Sequence, residues 1–224
     1  TTFALAYEGA IHAYDEQPIY LELGVGTLPI DLLFEEDHLS FVWMHQPVPT
    51  FEAWQGNREL LAAALGLTVD DFDPDLPIEF GSAGVPFLYV PIRSLEAIGR
   101  ARSTADLPDA ISPTGSHRNA YLFTLEQRTS GVQAHVRMFA PEMGIVEDAA
   151  TGAAAGPFGV YLLRHGRVTP DEQGEARTRL EQGIEMGRPC QITIAIATDG
   201  DKQAQDVRIG GESVVVAEGT LFLP

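Results

Sequence analysis

The sequence predicts an α+β fold made of two similar halves, each built on one apolar helix. Three observations lead there. Strand-like runs follow one another directly, with no helix between each pair, which rules against a doubly wound parallel sheet. Residues 152–164 form an apolar helical run between small residues and Gly166, as a buried helix requires. The opening Phe3-Ala4-Leu5-Ala6-Tyr7 resembles Phe158-Gly159-Val160-Tyr161-Leu162 in that run, which suggests a duplicated unit.

The elements follow in order. Phe3, Ala6, Tyr7 and Ala10 recur at helical spacing and predict a helix over 2–14. Residues 19–23, 30–34 and 39–45 read as an antiparallel meander, punctuated by Gly24, Gly26 and Pro29 and then by Glu35-Glu36-Asp37. Residues 57–65 form a short helix stopped by Gly66. Strands at 78–80 and 87–92 flank the turn Gly81-Ser82-Ala83-Gly84, and Ser94 caps a helix reaching Arg102. A second round begins with strands at 119–126 and 132–139, joined near Ser130-Gly131. The apolar helix follows, then a strand at 191–197 and strands across 207–222, with Gly210-Gly211 as a hairpin turn.

Composition removes several classes of function. The chain has 224 residues, 45% of them hydrophobic, enough for one large core or two small ones. The formal net charge of -18 is spread along the chain without a basic stripe, so nucleic acid and anionic lipid surfaces are excluded as partners. No apolar stretch approaches a membrane span, and the first residues lack the basic region of a signal peptide, so a cytoplasmic location is expected. The single Cys190 excludes an internal disulfide and a cysteine zinc cage; its place before an apolar run suggests a buried strand thiol. The sequence lacks an initiator Met and opens inside a helical pattern, so an N-terminal piece is expected to have been lost or cleaved.

Most candidate motifs fall away. Gly24-Val25-Gly26 lacks a third glycine and precedes a strand, so it is not a dinucleotide loop. His12, His38, His45, His117, His135 and His165 form no metal-binding pair, and no metal is expected. His165 reads as a partner of a helix C-terminus. Residues 137–157, RMFAPEMGIVEDAATGAAAGP, are different. Glu147 and Asp148 stand just before small residues that open the apolar helix. Free N–H groups at a helix start bind anions, and Gly152 with the alanines permits close approach. Simple capping by Asp148 or Thr151 explains the same residues equally well.

This segment resembles the signature of the PhzF-like phenazine biosynthesis family, R-x-F-A-P-x-x-G-[IV]-x-E-D-P-A-T-G-S-A. Three more segments agree, in order: 81–91 (GSAGVPFLYVP), 182–189 (QGIEMGRP), and 207–211 (VRIGG) on to Val216 and Gly219. The resemblance implies the diaminopimelate-epimerase fold, with halves at 1–104 and 105–224 and a last strand able to return to the first half. It implies an active site between the halves, facing the N-termini of two central helices, and no metal or cofactor. It implies a proton-moving isomerase or epimerase acting on a small carboxylate-bearing metabolite, assembled as a homodimer. The sequence itself offers only candidates for exposed apolar surface, such as Trp43 and Trp54. Asp148 is then the catalytic-site carboxylate, while Gly152, Ala153 and Thr151 bind substrate, the first two through backbone N–H groups.

Three departures from the family pattern stand out. Ala149 replaces its Pro, and Ala153 replaces a Ser and so lacks a hydroxyl. The S-E-T motif with the family's proton-shuttling Glu, and the G-H-P-T-x-G turn, precede the position matched by Thr1. The 224 residues alone are therefore expected not to turn over substrate. A non-catalytic small-molecule-binding or scaffold homologue is the alternative.

Overall fold

The computed structural model describes all residues except 13–17, 37, 113–114, 116–117, 221 and 223–224. The chain forms two compact units, residues 1–45 with 210–224, and residues 46–209. Residue 104 falls inside the second unit; the division into halves at 1–104 and 105–224 concerns duplication and stays an expectation.

The smaller unit opens with helix α1 (Thr2–Tyr7), shorter than the predicted 2–14, whose final part lies outside the described residues. Gly9 ends it. At φ +72° it lets its own N–H reach the Ala6 carbonyl at 3.0 Å and the Ala10 N–H reach Leu5 at 2.8 Å, the paired bonds of a left-handed helix stop. The predicted meander follows as β1 (Ile19–Leu23), β2 (Gly26–Glu35) and β3 (His38–Gln46), both pairings antiparallel. Gly24-Val25 is the two-residue turn between β1 and β2, since Leu23 pairs with Gly26.

In the larger unit, β4 (Thr50–Ala53) precedes α2 (Arg58–Ala64), which Asn57 caps through Leu60 N–H at 2.8 Å. Strands β5 (Glu79–Ser82) and β6 (Pro86–Pro91) form the expected hairpin. Helix α3 (Leu95–Arg100) is capped by Ser94 as predicted, and the short α4 (Leu107–Ile111) follows. Then come β7 (Ala120–Thr124), β8 (Ala134–Ala140), β9 (Ile145–Asp148), the helix α5 (Gly152–Arg164), and β10 (Glu175–Gln182), β11 (Cys190–Thr198) and β12 (Ala204–Gly211). Strand order is β12-β11-β10-β8-β7-β6-β5-β4, with β9 also on β8; β6–β7 and β8–β10 are parallel.

Every residue of β7 and β8 is buried, because helices cover both faces. Leu88, Val90 and Leu122 face a core with Leu61, Leu65, Ile98 and Leu107 from α2, α3 and α4. The alternate residues Tyr89, Tyr121 and Phe123 face α5, where they meet Phe158 and Tyr161 at ring separations of 4.7–5.6 Å. Residues 154–162 of α5 are all buried, as an apolar helix without a polar face demands.

Two expectations need correction. Gly210-Gly211 is no hairpin turn: it ends β12, and the described residues after it form no strand. Gly210 is needed for close approach, since an added Cβ would lie 2.6 Å from the Val42 carbonyl oxygen and 2.8 Å from the Trp43 ring. Trp43 and Trp54 are not exposed apolar surface either. Trp43 is 7% exposed, and Trp54 packs on the core with its indole N–H donating to Ile111 O at 2.9 Å. Gly210→Ala is expected to destabilise by about 1–3 kcal/mol through overpacking, seen as a drop of several degrees in Tm; an unchanged melt would contradict the close-packing reason.

Candidate active site

The strand geometry separates the two carboxylates that the sequence sets side by side. Residues 145–148 form β9, which pairs antiparallel with β8, Asp148 opposite Met138. Adjacent strand residues point to opposite faces. Glu147 turns toward the α3 side, where its oxygens accept from Arg137 Nε and Nη2, both at 2.8 Å. Arg137 is 6% exposed, and its Nη1 donates to the Ile98 and Ala101 carbonyls at 2.9 and 2.7 Å. Glu147 is thus absorbed by a buried, two-pronged ion pair and serves structure.

That face carries more buried polar groups. His135 Nδ1 lies 3.2 Å from Glu181 Oε1, and its Nε2 lies 2.9 Å from Glu185 Oε1. Thr129 Oγ1 donates to Glu181 at 2.6 Å. Burial pushes the Glu185 carboxyl upward. The hydrogen bond and charge of His135, a backbone N–H and Arg137 outweigh it and leave the group below its ordinary value of 4.5.

Asp148 turns the other way, toward α5. Its Oδ2 accepts from Thr151 Oγ1 at 2.7 Å, and its carboxylate is half-buried. It does not cap the helix: Thr151 is the N-cap residue, and no side chain caps the start. Thr151 is 6% exposed with its hydroxyl committed to Asp148, so its side chain holds the site together and does not face solvent. Gly152 is half-buried, Ala153 is exposed, and among the described residues neither N–H has a hydrogen-bond partner. The helix start is open, with two free donors beside a carboxylate.

The register shows how α5 is laid down. Glu79, Tyr89, Tyr121, Met138 and Asp148 stand opposite one another across β5 to β9, forming one transverse row. At one end Glu79 meets Arg164 at 3.1 Å and His165 Nε2 at 2.8 Å, so His165 does stand at the helix C-terminus, held by a carboxylate. At the other end lies Asp148. Between them Tyr89 donates to Ala154 O at 2.9 Å. The Tyr121 hydroxyl is buried without a partner among the described residues; burial, and then the Asp148 charge, hold its pKa far above the ordinary phenol value. Sequence reading missed Tyr121 and Gln182; only the register and the crossover put them beside Asp148.

Cys190 is half-buried at the start of β11, as a strand thiol. Among the described residues no group of three or more His, Cys, Asp or Glu is placed to hold a metal ion, and no helix is long and apolar enough to cross a membrane.

The family model of phenazine biosynthesis-like proteins (PhzC-PhzF) matches residues 1–219. The chain belongs to this family. It is 32% identical over 217 residues to the trans-2,3-dihydro-3-hydroxyanthranilate isomerase of Pseudomonas aeruginosa, covering 93% of this chain and 69% of that protein. The crystal structure of the Bacillus anthracis phenazine biosynthesis protein of the PhzF family superposes with a TM-score of 0.85 at 28% identity, over 100% of this chain and 74% of that one. A hydroxyproline epimerase from Agrobacterium vitis shares the fold alone, with a TM-score of 0.57 at 13% identity over 94% of this chain and 61% of that one. The fold is the α+β, diaminopimelate-epimerase-like fold that the PhzF motifs implied.

Two predictions follow from this geometry. Tyr121→Phe removes a buried hydroxyl that no described residue pairs with, so Tm should stay level or rise; a loss above about 1 kcal/mol would show that the hydroxyl is bonded in solution. Glu185 contributes stability that is complete above its ordinary value of 4.5 and is lost as pH falls through its lower folded-state value. Glu185→Gln should therefore lose less stability than the parent in urea unfolding as the pH is lowered below 4.5.

Proposed function

We propose that this member of the PhzF-like family is an isomerase or epimerase that binds the carboxylate of a small metabolite at the Gly152 and Ala153 amides and holds it beside Asp148. The open start of α5 carries this reading: two unpartnered N–H groups next to a half-buried carboxylate that does not cap them. A helix N-terminus stabilises an anion by roughly 0.3–1 kcal/mol, more where partly buried. Asp148 keeps acceptor capacity beyond the bond from Thr151, so it can take a hydrogen bond from a substrate hydroxyl or amine.

In this reading the reaction moves a proton by acid/base chemistry without a cofactor, in a cytoplasmic homodimer. The isomerase name of the Pseudomonas relative supports a cyclic hydroxy amino acid as substrate class. Ala153 presents only its backbone to a ligand, an observation that favours the second reading, a binding homologue without turnover.

Turnover by the parent decides between these readings, and Asp148→Asn tests the part given to Asp148. Asn still accepts the Thr151 hydroxyl, so the fold should hold. Solvent deuterium uptake by small hydroxy and amino acids, with trans-2,3-dihydro-3-hydroxyanthranilate among them, provides the assay for the complete encoded protein. The expected result is at least a tenfold loss of kcat/KM, about 1.4 kcal/mol. Unchanged kinetics in a folded variant would return Asp148 to a structural role.

A further inference from the structure

We infer that Gln182 is a positioning residue for the active site: it directs the single hydroxyl proton of Thr151 onto Asp148 and so presents Asp148 as an oriented acceptor. The inference rests on the reading of Asp148 just proposed. Nothing in the signature around residues 147–153 contains Gln182; it belongs to the separate QGIEMGRP segment.

The sheet brings the two segments together. Strands β9 and β10 occupy the same edge of β8 in succession, Asp148 opposite Met138 and Gln182 opposite Val136. Val136 and Met138 are two apart, so Asp148 and Gln182 share the face that carries α5. Gln182 is 0% exposed and grips the turn between β9 and α5 at three points. Its Oε1 accepts from Thr151 N at 3.1 Å, and its Nε2 donates to Asp148 O at 2.7 Å and to Thr151 Oγ1 at 2.9 Å.

The chemistry permits only one direction. Rotating the amide by half a turn would set its NH2 against the Thr151 N–H and its oxygen against the Asp148 carbonyl, two clashes of like groups. With the NH2 held toward Thr151, that hydroxyl must accept from Gln182, and its one proton is left for Asp148 Oδ2 at 2.7 Å. The chain of donors therefore runs from Gln182 through Thr151 to Asp148. It meets an ionised carboxylate favourably and fixes which of its oxygens is spent. The next residue reinforces the grip. Gly183 has φ +79°, and an added Cβ would lie 2.8 Å from Ala149 O, so β10 ends in close backbone contact with the same turn.

The test uses the complete protein with trans-2,3-dihydro-3-hydroxyanthranilate as probe, or whichever acid the deuterium assay selects, and near-UV circular dichroism to confirm folding. Gln182→Met removes the donor, and kcat/KM should fall at least tenfold at every pH. Gln182→Glu should match that loss near about pH 8, where the carboxylate cannot donate, and recover several-fold relative to the parent near about pH 5 as the side chain protonates. Thr151→Val should equal Gln182→Met, the double variant should be no worse than either, and Thr151→Ser, which keeps the hydroxyl, should recover most of what Thr151→Val loses. A purely structural Gln182 predicts no recovery at low pH and additive losses, and either result overturns the inference. Should the Gln182 variants fail to fold, an unimpaired Thr151→Val overturns it alone. If Asp148→Asn is itself unimpaired, the underlying reading fails and this inference with it; if Asp148→Asn is impaired while Gln182→Met is not, only this inference fails.

Discussion

The larger unit is organised around the burial of a helix that has no polar face. Residues 154–162 of α5 must be covered on every side, and the chain answers with aromatic rings from β6 and β7 and with Ile194 and Ile196 of β11. Small residues make the approach possible. A Cβ on Gly159 would lie 2.6 Å from Ile194. Edge-to-face and tilted ring pairs of this kind each contribute about 0.5–1.5 kcal/mol beyond their buried area. Pro157 removes one helical bond, a cost that this packing offsets.

Once the helix lies along the row from Glu79 to Asp148, the polar chemistry follows from its two ends. Its C-terminus, with partial negative charge, receives Arg164 and His165, which Glu79 holds in turn. Its N-terminus, with partial positive charge, stays uncapped and faces Asp148. A helix end left open in this way is costly unless water or a ligand meets it, and that is why the start of α5 dominates the functional reading.

The opposite face of the same strands shows how local the division of labour is. Glu147 and Asp148 differ by one position, yet one lies in a buried ion pair with Arg137 and the other faces the start of α5. The pleat alone accounts for this. The His135–Glu181–Glu185 cluster sits on the Glu147 side, while Gln182, one residue beyond Glu181, reaches the Asp148 side.

Much of this protein was legible in the chain itself. The limits of α5 were readable because small residues open it and Gly166 closes it. The Asn57 and Ser94 caps and the meander at 19–45 carried local signals of the same kind, in which a residue and its partner lie within a few positions. The motifs that mark the family are likewise contiguous. Strand β9 was not legible: it has four residues, and its pairing partner rather than its own pattern makes it a strand. Gly210-Gly211 misled because a glycine pair suits both a turn and a close contact, and only the position of Val42 and Trp43 distinguishes them. Tyr121 and Gln182 lie 27 and 34 positions from Asp148, and no periodicity spans such a distance. The sequence by itself determined most of the elements, the family and the residue types at the helix start. Tertiary structure alone decided which carboxylate faces the start of α5 and which hydrogen-bond donors stand around it, because those depend on strand register and on two strands sharing one edge of β8.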